Sequence, residues 1–412
     1  MTDVDVVCLG ESLVTFLPSR PGPLADVPSF TRAIGGAESN VACALAATGH
    51  RVRWVSRVGT DGFGDHLVAA IAAYGVDTGA VRRDPHRPTG VYFRTATDRA
   101  AAEHEVVYYR AGSAASAMSP ETVAYDDLRP ARVLHLSGIT AALSDGCLAL
   151  LRGLTGRWPG RPLVSFDVNH RPALWHGRPD AADVLLELAR GADVVFVGED
   201  EAEAVWGVRG AAEIREALPE PAVVVVKQGG AGAMASSRRA GPFPTPPLPE
   251  PGALPPDPRA SIAGGAEFQP VRRSRTRAKR VRGPGRSPGY GKGRGGEEAP
   301  RSGHIHVPAP RVDVVAATGA GDAFAAGFLA ATLRGLDMRR RLRHGHLMAA
   351  AALTVPGDLG APPATAYADR LVELDDAAWG RLHLGPGWTA TGPTTGTGPG
   401  NGTGNDQEAR TP

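Results

Sequence analysis

The chain alternates short apolar runs with helical intervals over most of its 412 residues, and this rhythm constrains its fold more than any other feature. Runs such as "VDVVCLG" (4–10) and "AVVVVKQGG" (222–230) are rich in valine and stop at glycine, which is typical of buried strands. Intervals such as "SNVACALAATGH" (39–50) place apolar and small residues at helical spacing. Strands that alternate with helices form a largely parallel, helix-covered sheet, so we predict an α/β layered fold.

One segment interrupts this rhythm. The stretch "PTGVYFRTATDRAAAEHEVVYYRAGSA" (88–114) contains two strand-like runs around a polar turn and no long helical pattern. We therefore expect a small antiparallel sheet that projects from the main body.

Two tracts lack apolar periodicity altogether. Pro, Gly and Arg dominate from about 238 to 303, and the end of the chain from 387 to 412 is rich in Gly, Thr and Pro. Such tracts cannot bury enough apolar surface to offset the entropy lost on ordering. We predict one folded domain over 1–386, with a disordered insertion at 238–303 and a disordered tail at 387–412.

The charge and the cysteine content limit which binding partners and which cellular compartment we expect. The tract at 271–296 holds ten Lys or Arg and no acid, and without it the chain has 35 basic and 43 acidic residues, a formal charge of −8. This balance argues against nucleic acid as the main partner of the folded part. The three cysteines form no CxxC pair, which fits a reducing compartment, and the sequence pattern predicts neither a signal peptide nor a membrane-spanning segment. We expect a cytoplasmic protein.

The stretch "AATGAGDAFAAGF" (316–328) places small residues and an acid directly before a helical pattern. Gly319, Ala320 and Gly321 would leave the N–H groups of a helix N-terminus open to an anion. The carboxylate of Asp322 would repel a phosphate there, so its presence suggests a chemical role. A carboxylate beside a transferring phosphoryl group can accept the proton of an attacking hydroxyl. The alternative is an Asp322 that only caps the helix.

Several motifs, in the same order, resemble those of the ribokinase-like, or PfkB, sugar kinases. The resemblance covers residues 4–237 and 304–375, and the combination of "YYRAGSA", "SGIT" and "DVNHRPALW" looks most like the 2-keto-3-deoxygluconate kinase branch. The matching stretches are "GESLV" (10–14), "IGGAESNVACALAATG" (34–49), "YYRAGSAAS" (108–116), "HLSGIT" (135–140), "DVNHRPALW" (167–175), "KQGGAGA" (227–233) and "TGAGDAFAAGF" (318–328). The resemblance implies a three-layer α/β fold with a mostly parallel central sheet and a small β-sheet lid, at about 12–35 and 88–114.

The resemblance also implies roles for particular residues. Asp322 would be the catalytic base, and the N–H groups of Gly319, Ala320 and Gly321 would face the charge that develops on the phosphates. The residues implied for the sugar site are Gly35, Gly36, Asn40, Tyr92, Tyr108, Arg110, Arg171 and Asp358. Two arginines suit a keto acid because a guanidinium binds a carboxylate through two hydrogen bonds. The open alternatives are solvated surface arginines, tyrosines that only pack the lid, and an Asp358 that only forms a turn.

The nucleotide side is implied in the same way. The residues that match the nucleotide-bordering loop are Lys227, Gly229, Gly230 and Gly232. Glu201 matches an acid that helps to organise Mg²⁺ through water, and no direct metal ligand is expected because Mg²⁺ binds mainly phosphate oxygens and water. Two positions depart from the family pattern: Gly198 replaces an Asn, and Ala316 replaces an Asp that helps some relatives to hold a monovalent cation.

These observations predict an ATP-dependent kinase that phosphorylates the terminal hydroxyl of 2-keto-3-deoxygluconate with ATP and Mg²⁺. Two alternatives stay open: a kinase for a neutral sugar such as fructose or ribose, and a catalytically weak relative that acts as a binding or regulatory protein. Relatives commonly pair through the lid, so a homo-oligomer is expected.

Overall fold

The structure is a computed structural model, and it describes residues 4–95, 106–129, 131–158, 160–238 and 303–390. The predicted disordered segments therefore lie almost wholly outside the described residues. Within those ranges, every helix is too short or too polar to cross a membrane.

The strands and helices follow each other in the order that the sequence pattern predicts. In chain order the strands are β1 (Val4–Leu9), β2 (Leu13–Pro18), β3 (Phe30–Gly35), β4 (Val52–Val55), β5 (Arg57–Gly59), β6 (Arg82–Asp84), β7 (Val91–Arg94), β8 (Val106–Tyr109), β9 (Ala131–Ser137), β10 (Leu163–Asp167), β11 (Val194–Gly198), β12 (Val223–Lys227), β13 (Ala233–Ser237), β14 (Gly303–Val307), β15 (Arg311–Val312) and β16 (His383–Leu384). The α-helices are α1 (Ala37–Ala47), α2 (Gly62–Ala72), α3 (Gly138–Ala142), α4 (Asp145–Thr155), α5 (Ala181–Gly191), α6 (Glu199–Trp206), α7 (Gly210–Ala217), α8 (Ala320–Leu333), α9 (Met338–Leu353), α10 (Thr365–Val372) and α11 (Asp376–Gly380). Short 3-10 helices cover Leu24–Asp26, Ala115–Ala117, Tyr125–Asp127, Gly229–Ala231 and Trp388–Ala390.

The main sheet has eight strands in the order β14-β13-β12-β11-β10-β9-β1-β4. All pairs from β4 to β12 are parallel, whereas β13 is antiparallel to both of its neighbours, β12 and the edge strand β14. Only β13 therefore runs against the other strands of this sheet. Alternate residues of β1 enter two different cores: Val6 and Cys8 face one helix layer, and Val7 and Leu9 face the other. A parallel sheet that is covered on both faces requires such apolar runs. The predicted three-layer α/β fold is confirmed.

A second, smaller sheet has the strand order β3-β2-β7-β8. The pairs β2–β3 and β7–β8 are antiparallel, whereas the central pair β2–β7 is parallel. The antiparallel pair expected from 88–114 is present as β7 and β8, whereas the parallel pairing of β2 with β7 was not predicted. The reason is topological: β2 and β7 are joined by a long connection through the main body, which allows parallel pairing, while a tight turn would not.

Two boundaries of the predicted disordered segments were wrong: the end of the insertion at 303 and the start of the tail at 387. Gly303 already belongs to β14, which pairs with β13. Residues 388–390 form a 3-10 helix, in which Trp388 is buried and its ring lies 6.3 Å from that of Tyr367. A tryptophan can bury a large apolar area even within a polar tract, so the ordered chain extends past 387.

Candidate active site

The candidate site lies at the carboxyl ends of the parallel strands. Asp167 ends β10, Gly198 ends β11 and Lys227 ends β12. The Lys227 Nζ atom lies 2.7 Å from Asp167 Oδ2, so this ion pair spans the end of β11. This edge of an open α/β sheet is where such folds bind ligands.

A glycine turn precedes α8 at this edge. Gly319 has a φ of 77°, which favours glycine, and a Cβ there would lie 2.2 Å from the carbonyl oxygen of Asp358. Ala320 begins α8, and a Cβ on Gly321 would lie 3.5 Å from Lys227 Nζ. The first N–H groups of a helix have no partner within it. Only glycine fits position 319, and the turn presents backbone N–H groups beside a lysine.

Asp322 stands in the first turn of α8, and its Oδ2 atom accepts a hydrogen bond of 2.9 Å from Asn40 Nδ2. Burial raises the pKa of Asp322 to about 7. The Asn40 hydrogen bond opposes this rise, and so do the charges of Lys227 and Arg171, whereas Asp167 adds to it. A carboxyl group with a pKa near neutrality can accept a proton and release it again.

At two consecutive glycines, Gly35 and Gly36, neighbouring atoms lie too close for a side chain. A Cβ on Gly35, the last residue of β3, would lie 2.3 Å from Tyr92 Oη and 2.8 Å from Asp358 Oδ2. A Cβ on Gly36 would lie 2.5 Å from the carbonyl oxygen of Glu11. A larger residue at either position would collide with these atoms. The backbone that leads into α1, the helix that carries Asn40, therefore requires glycine at both positions.

Asp358 is buried between the small sheet and the glycine turn. Tyr92 Oη donates a hydrogen bond of 3.0 Å to Asp358 Oδ2, and Arg94 Nη2 lies 3.1 Å from Asp358 Oδ1. Burial raises the pKa of Asp358, although the Arg94 charge and the Tyr92 hydrogen bond oppose the rise. Among the described residues, Oδ2 thus accepts a hydrogen bond, while Oδ1 has an ion-pair contact but no hydrogen bond. The sugar contact of Asp358 stays a prediction.

Arg110 and Tyr108 lie together at the edge of the small sheet. The Arg110 guanidinium forms a buried ion pair with Glu11, whose other oxygen accepts a hydrogen bond from Ser113 Oγ. The guanidinium carbon also lies 5.5 Å from the centroid of the Tyr108 ring, which is 5.3 Å from that of Tyr92. The two predicted tyrosines therefore stack near the sugar side, while Arg110 already has a carboxylate partner.

Arg171 is exposed, and its Nη1 atom donates a hydrogen bond of 3.3 Å to the carbonyl oxygen of His170. Its charge is close enough to Asp322 to lower the pKa of that residue. The binding of a substrate carboxylate by Arg110 and Arg171 stays a prediction.

The predicted nucleotide loop follows β12. Gly229 has a φ of 54° and Gly232 a φ of 130°, and a Cβ on Gly232 would lie 2.3 Å from the carbonyl oxygen of Val307. Gly230 lies between them, in the 3-10 helix, with open space around its Cα. At the start of this loop, burial lowers the pKa of Lys227, but nearby carboxylates more than reverse that effect and keep the ammonium charged.

Glu201 stands in the first turn of α6 and bridges two segments. Its carboxylate accepts backbone hydrogen bonds from Gly198 N, at 2.9 Å, and from His170 N. Burial raises the pKa of Glu201, and the Asp167 charge adds to the rise. In the part of the chain that the structure describes, no cluster of three or more His, Cys, Asp or Glu residues could hold a metal ion.

Three residues of this region were not predicted from the sequence. They are Glu11, Arg94 and Asp167. The sequence around Asp167 did carry a signal, because this acid ends the mostly apolar run "LVSFD", and a buried acid needs a partner. Arg94 and Glu11 carried none, since their partners are distant in the sequence.

Comparison with known proteins places these features in a family. The family model described as pfkB family carbohydrate kinase matches residues 3–251 and 298–364. A 2-dehydro-3-deoxygluconokinase of Thermoproteus tenax is 34% identical over 233 residues, which cover 56% of this chain and 71% of that protein. Fructokinase-1 of Zea mays is 35% identical over 204 residues, which cover 49% of this chain and 62% of that protein.

The crystal structure of a PfkB protein from Polaromonas sp. JS666 superimposes with a TM-score of 0.65 at 29% identity, covering 87% of this chain and 98% of that one. The chain therefore belongs to the pfkB family of carbohydrate kinases and is a phosphotransferase with a ribokinase-like fold.

Proposed function

We propose that the chain transfers the terminal phosphoryl group of ATP to the terminal hydroxyl of 2-keto-3-deoxygluconate, which gives the 6-phosphate and ADP. The observation that carries this proposal is the position of Asp322. Its carboxylate is held by Asn40 beside the glycine turn of α8, with a pKa raised to about 7. A base is thus fixed next to N–H groups that can face an anion.

The chemistry follows from this arrangement. Asp322 accepts the proton of the sugar hydroxyl while the hydroxyl oxygen bonds to the terminal phosphorus of ATP and the bond to ADP breaks. The N–H groups of the 319–321 turn and the Lys227 ammonium supply positive charge where the phosphate oxygens become more negative. Asn40 fixes the orientation of the carboxylate through its hydrogen bond of 2.9 Å.

The choice of a keto acid rests on charge near the sugar side and on the Thermoproteus relative. Arg171 is exposed and its charge acts on Asp322, and apart from the carbonyl oxygen of His170 its guanidinium has no hydrogen-bond partner among the described residues. Such a guanidinium can bind a carboxylate through two hydrogen bonds. Arg110, with Tyr108 and Tyr92, would line the other side of the substrate. Its ion pair with Glu11 holds it in a fixed orientation.

A neutral sugar such as fructose is the second candidate. The buried Glu11 carboxylate cancels the charge of Arg110, so this half of the site is electrically balanced before any substrate binds. The resemblance to a fructokinase points the same way.

A comparison of kcat/KM for the keto acid, fructose and ribose separates the two candidates. The proposal expects the keto acid to be preferred and Arg171→Ala to weaken its binding by about 10- to 100-fold, since a charge-assisted pair contributes ~1.5–3 kcal/mol. Arg152→Ala, on an exposed arginine of α4, is the matched control. Preference for fructose, with no effect of Arg171→Ala, favours the neutral sugar.

For the nucleotide, the 229–232 turn and Lys227 are the proposed border, and Mg²⁺ is the proposed metal. Asp167 Oδ1 is buried and accepts no hydrogen bond from the described residues, and a buried carboxylate oxygen of this kind suits a metal-bound water. Glu201 stands beside it. Asp167 and Glu201 would thus hold Mg²⁺ through water, and the ion would neutralise phosphate charge when bound.

A further inference from the structure

Arg94 ends strand β7 of the small sheet, and its side chain is 7% exposed. Its Nη1 atom donates a hydrogen bond of 2.5 Å to Thr318 Oγ1. Its Nη2 atom donates one of 3.0 Å to the carbonyl oxygen of Pro356 and lies 3.1 Å from Asp358 Oδ1. One guanidinium therefore joins the small sheet to two loops of the main body.

Both loops border the glycine turn. Thr318 directly precedes Gly319, and the Asp358 carbonyl oxygen lies so close to Gly319 that no side chain fits between them. A buried guanidinium is costly unless its donors are paired. The Nη1 and Nη2 atoms of Arg94 have these partners only while the small sheet, residue 318 and the 356–358 loop keep this arrangement.

The same face of β7 also reaches the sugar side. Tyr92 is two residues before Arg94, so the two side chains point to the same face of the strand. Tyr92 Oη donates to Asp358 Oδ2 and contacts the backbone at Gly35. One strand face thus contacts the sugar-side glycine and the loops around the turn.

We propose that Arg94 is a positioning residue, which holds Thr318 and through it the 319–321 turn against the small sheet, so that the sugar side and the anion-facing turn form together. Arg94 does not touch the reacting atoms and acts through Thr318. The proposal rests on the proposed site around Asp322. Lysine cannot replace this arginine fully, because an ammonium on a single stem cannot reach the same set of acceptors with a planar fork.

Kinetics of Arg94→Met, Thr318→Val and the double variant test this role. Displacement of groups around a reacting centre by about 1 Å can lower the rate about 100-fold. We expect each single variant to lower kcat by about 10- to 100-fold, with a smaller change in the KM of the sugar. The double variant should be no slower than Arg94→Met, because Arg94→Met already removes the hydrogen bond to Thr318. Arg94→Lys should recover only part of kcat, and Arg32→Met, on an exposed arginine of β3 in the same sheet, should behave as the wild type.

Amide hydrogen exchange gives a readout that needs no substrate. Ala323 N donates a hydrogen bond of 2.9 Å to Gly319 O, so its exchange reports on the geometry of the turn. We expect Thr318→Val and Arg94→Met to accelerate exchange at Ala323 about tenfold or more, and Arg32→Met to leave it unchanged. If Arg94→Met does not fold, Thr318→Val decides.

The outcomes separate the two proposals. Unchanged kcat and unchanged Ala323 exchange in Thr318→Val overturn the role of Arg94, even if Arg94→Met lowers the melting temperature. If no sugar is phosphorylated, the proposed function fails, and the exchange at Ala323 still supports or overturns the role of Arg94.

Discussion

Asp322 is a residue on which burial and hydrogen bonding act in opposite directions. Burial and the Asp167 charge raise its pKa, while Asn40 and the cations Lys227 and Arg171 lower it. The balance leaves the pKa at about 7. A base for transfer to a sugar hydroxyl works best when its pKa is near the operating pH.

The pH dependence of the reaction follows from this value. Below its pKa, Asp322 carries a proton and cannot accept another, so kcat/KM should fall about tenfold for each unit of pH below about 7. Steady-state rates between about pH 5.5 and pH 8.5 would show this limb. A profile that is flat down to about pH 5 would mean that no group with this pKa acts as the base.

Residue positions could be predicted where the signal is local. Gly319 and Asp322 lie within one short motif, and the φ of 77° at Gly319 explains why that motif needs glycine. The hydrogen bond from Arg94 to Thr318 joins residues that are 224 positions apart in the sequence, and the one from Tyr92 to Asp358 joins residues that are 266 positions apart. Such pairs depend on how sheets and loops pack, which strand and helix patterns do not specify.

At the scale of elements, apolar rhythm predicted the main sheet well because its strands are buried on both faces. Strand β10, for example, has five buried residues in succession. The parallel pairing of β2 with β7 was not predicted, because it depends on a crossover through the body. The prediction of disorder from composition was also wrong at residues 388–390, where the Trp388 side chain is buried.

The 3-10 helix at Trp388–Ala390 should therefore contribute to stability. Trp388 is buried against Tyr367, so Trp388→Ala should lower the free energy of unfolding by about 3–5 kcal/mol. Denaturant unfolding measures this change. Arg381→Ala, at an exposed residue near this segment, is the control and should change it by less than about 0.5 kcal/mol. Equal stability of Trp388→Ala and the wild type would show that this segment does not dock.

At the scale of the whole molecule, the small sheet carries exposed apolar side chains beside its ring contacts. The ring centroids of Phe16 and Phe93 lie 4.7 Å apart, and that of Tyr109 lies 6.0 Å from Phe93. Tyr109 is 65% exposed and Val106 is 42% exposed. An apolar patch of this kind suits contact with a second copy of the chain.

The expected homo-oligomer should depend on this patch. Tyr109→Asp places a charge at its centre and should shift the sedimentation coefficient toward that of a monomer. Tyr74→Asp, at another exposed tyrosine, is the control and should leave the assembly intact. A wild-type protein that sediments as a monomer at micromolar concentration would contradict this expectation.

The most direct test of the account is the turnover of 2-keto-3-deoxygluconate with ATP and Mg²⁺ by the wild type and by Asp322→Asn. Asparagine keeps the size of the side chain and its contact with Asn40 but cannot accept the proton. We predict turnover by the wild type and a loss of about 100- to 10,000-fold in kcat for the variant, with binding of the sugar retained. A variant that keeps the wild-type rate would show that Asp322 is not the base.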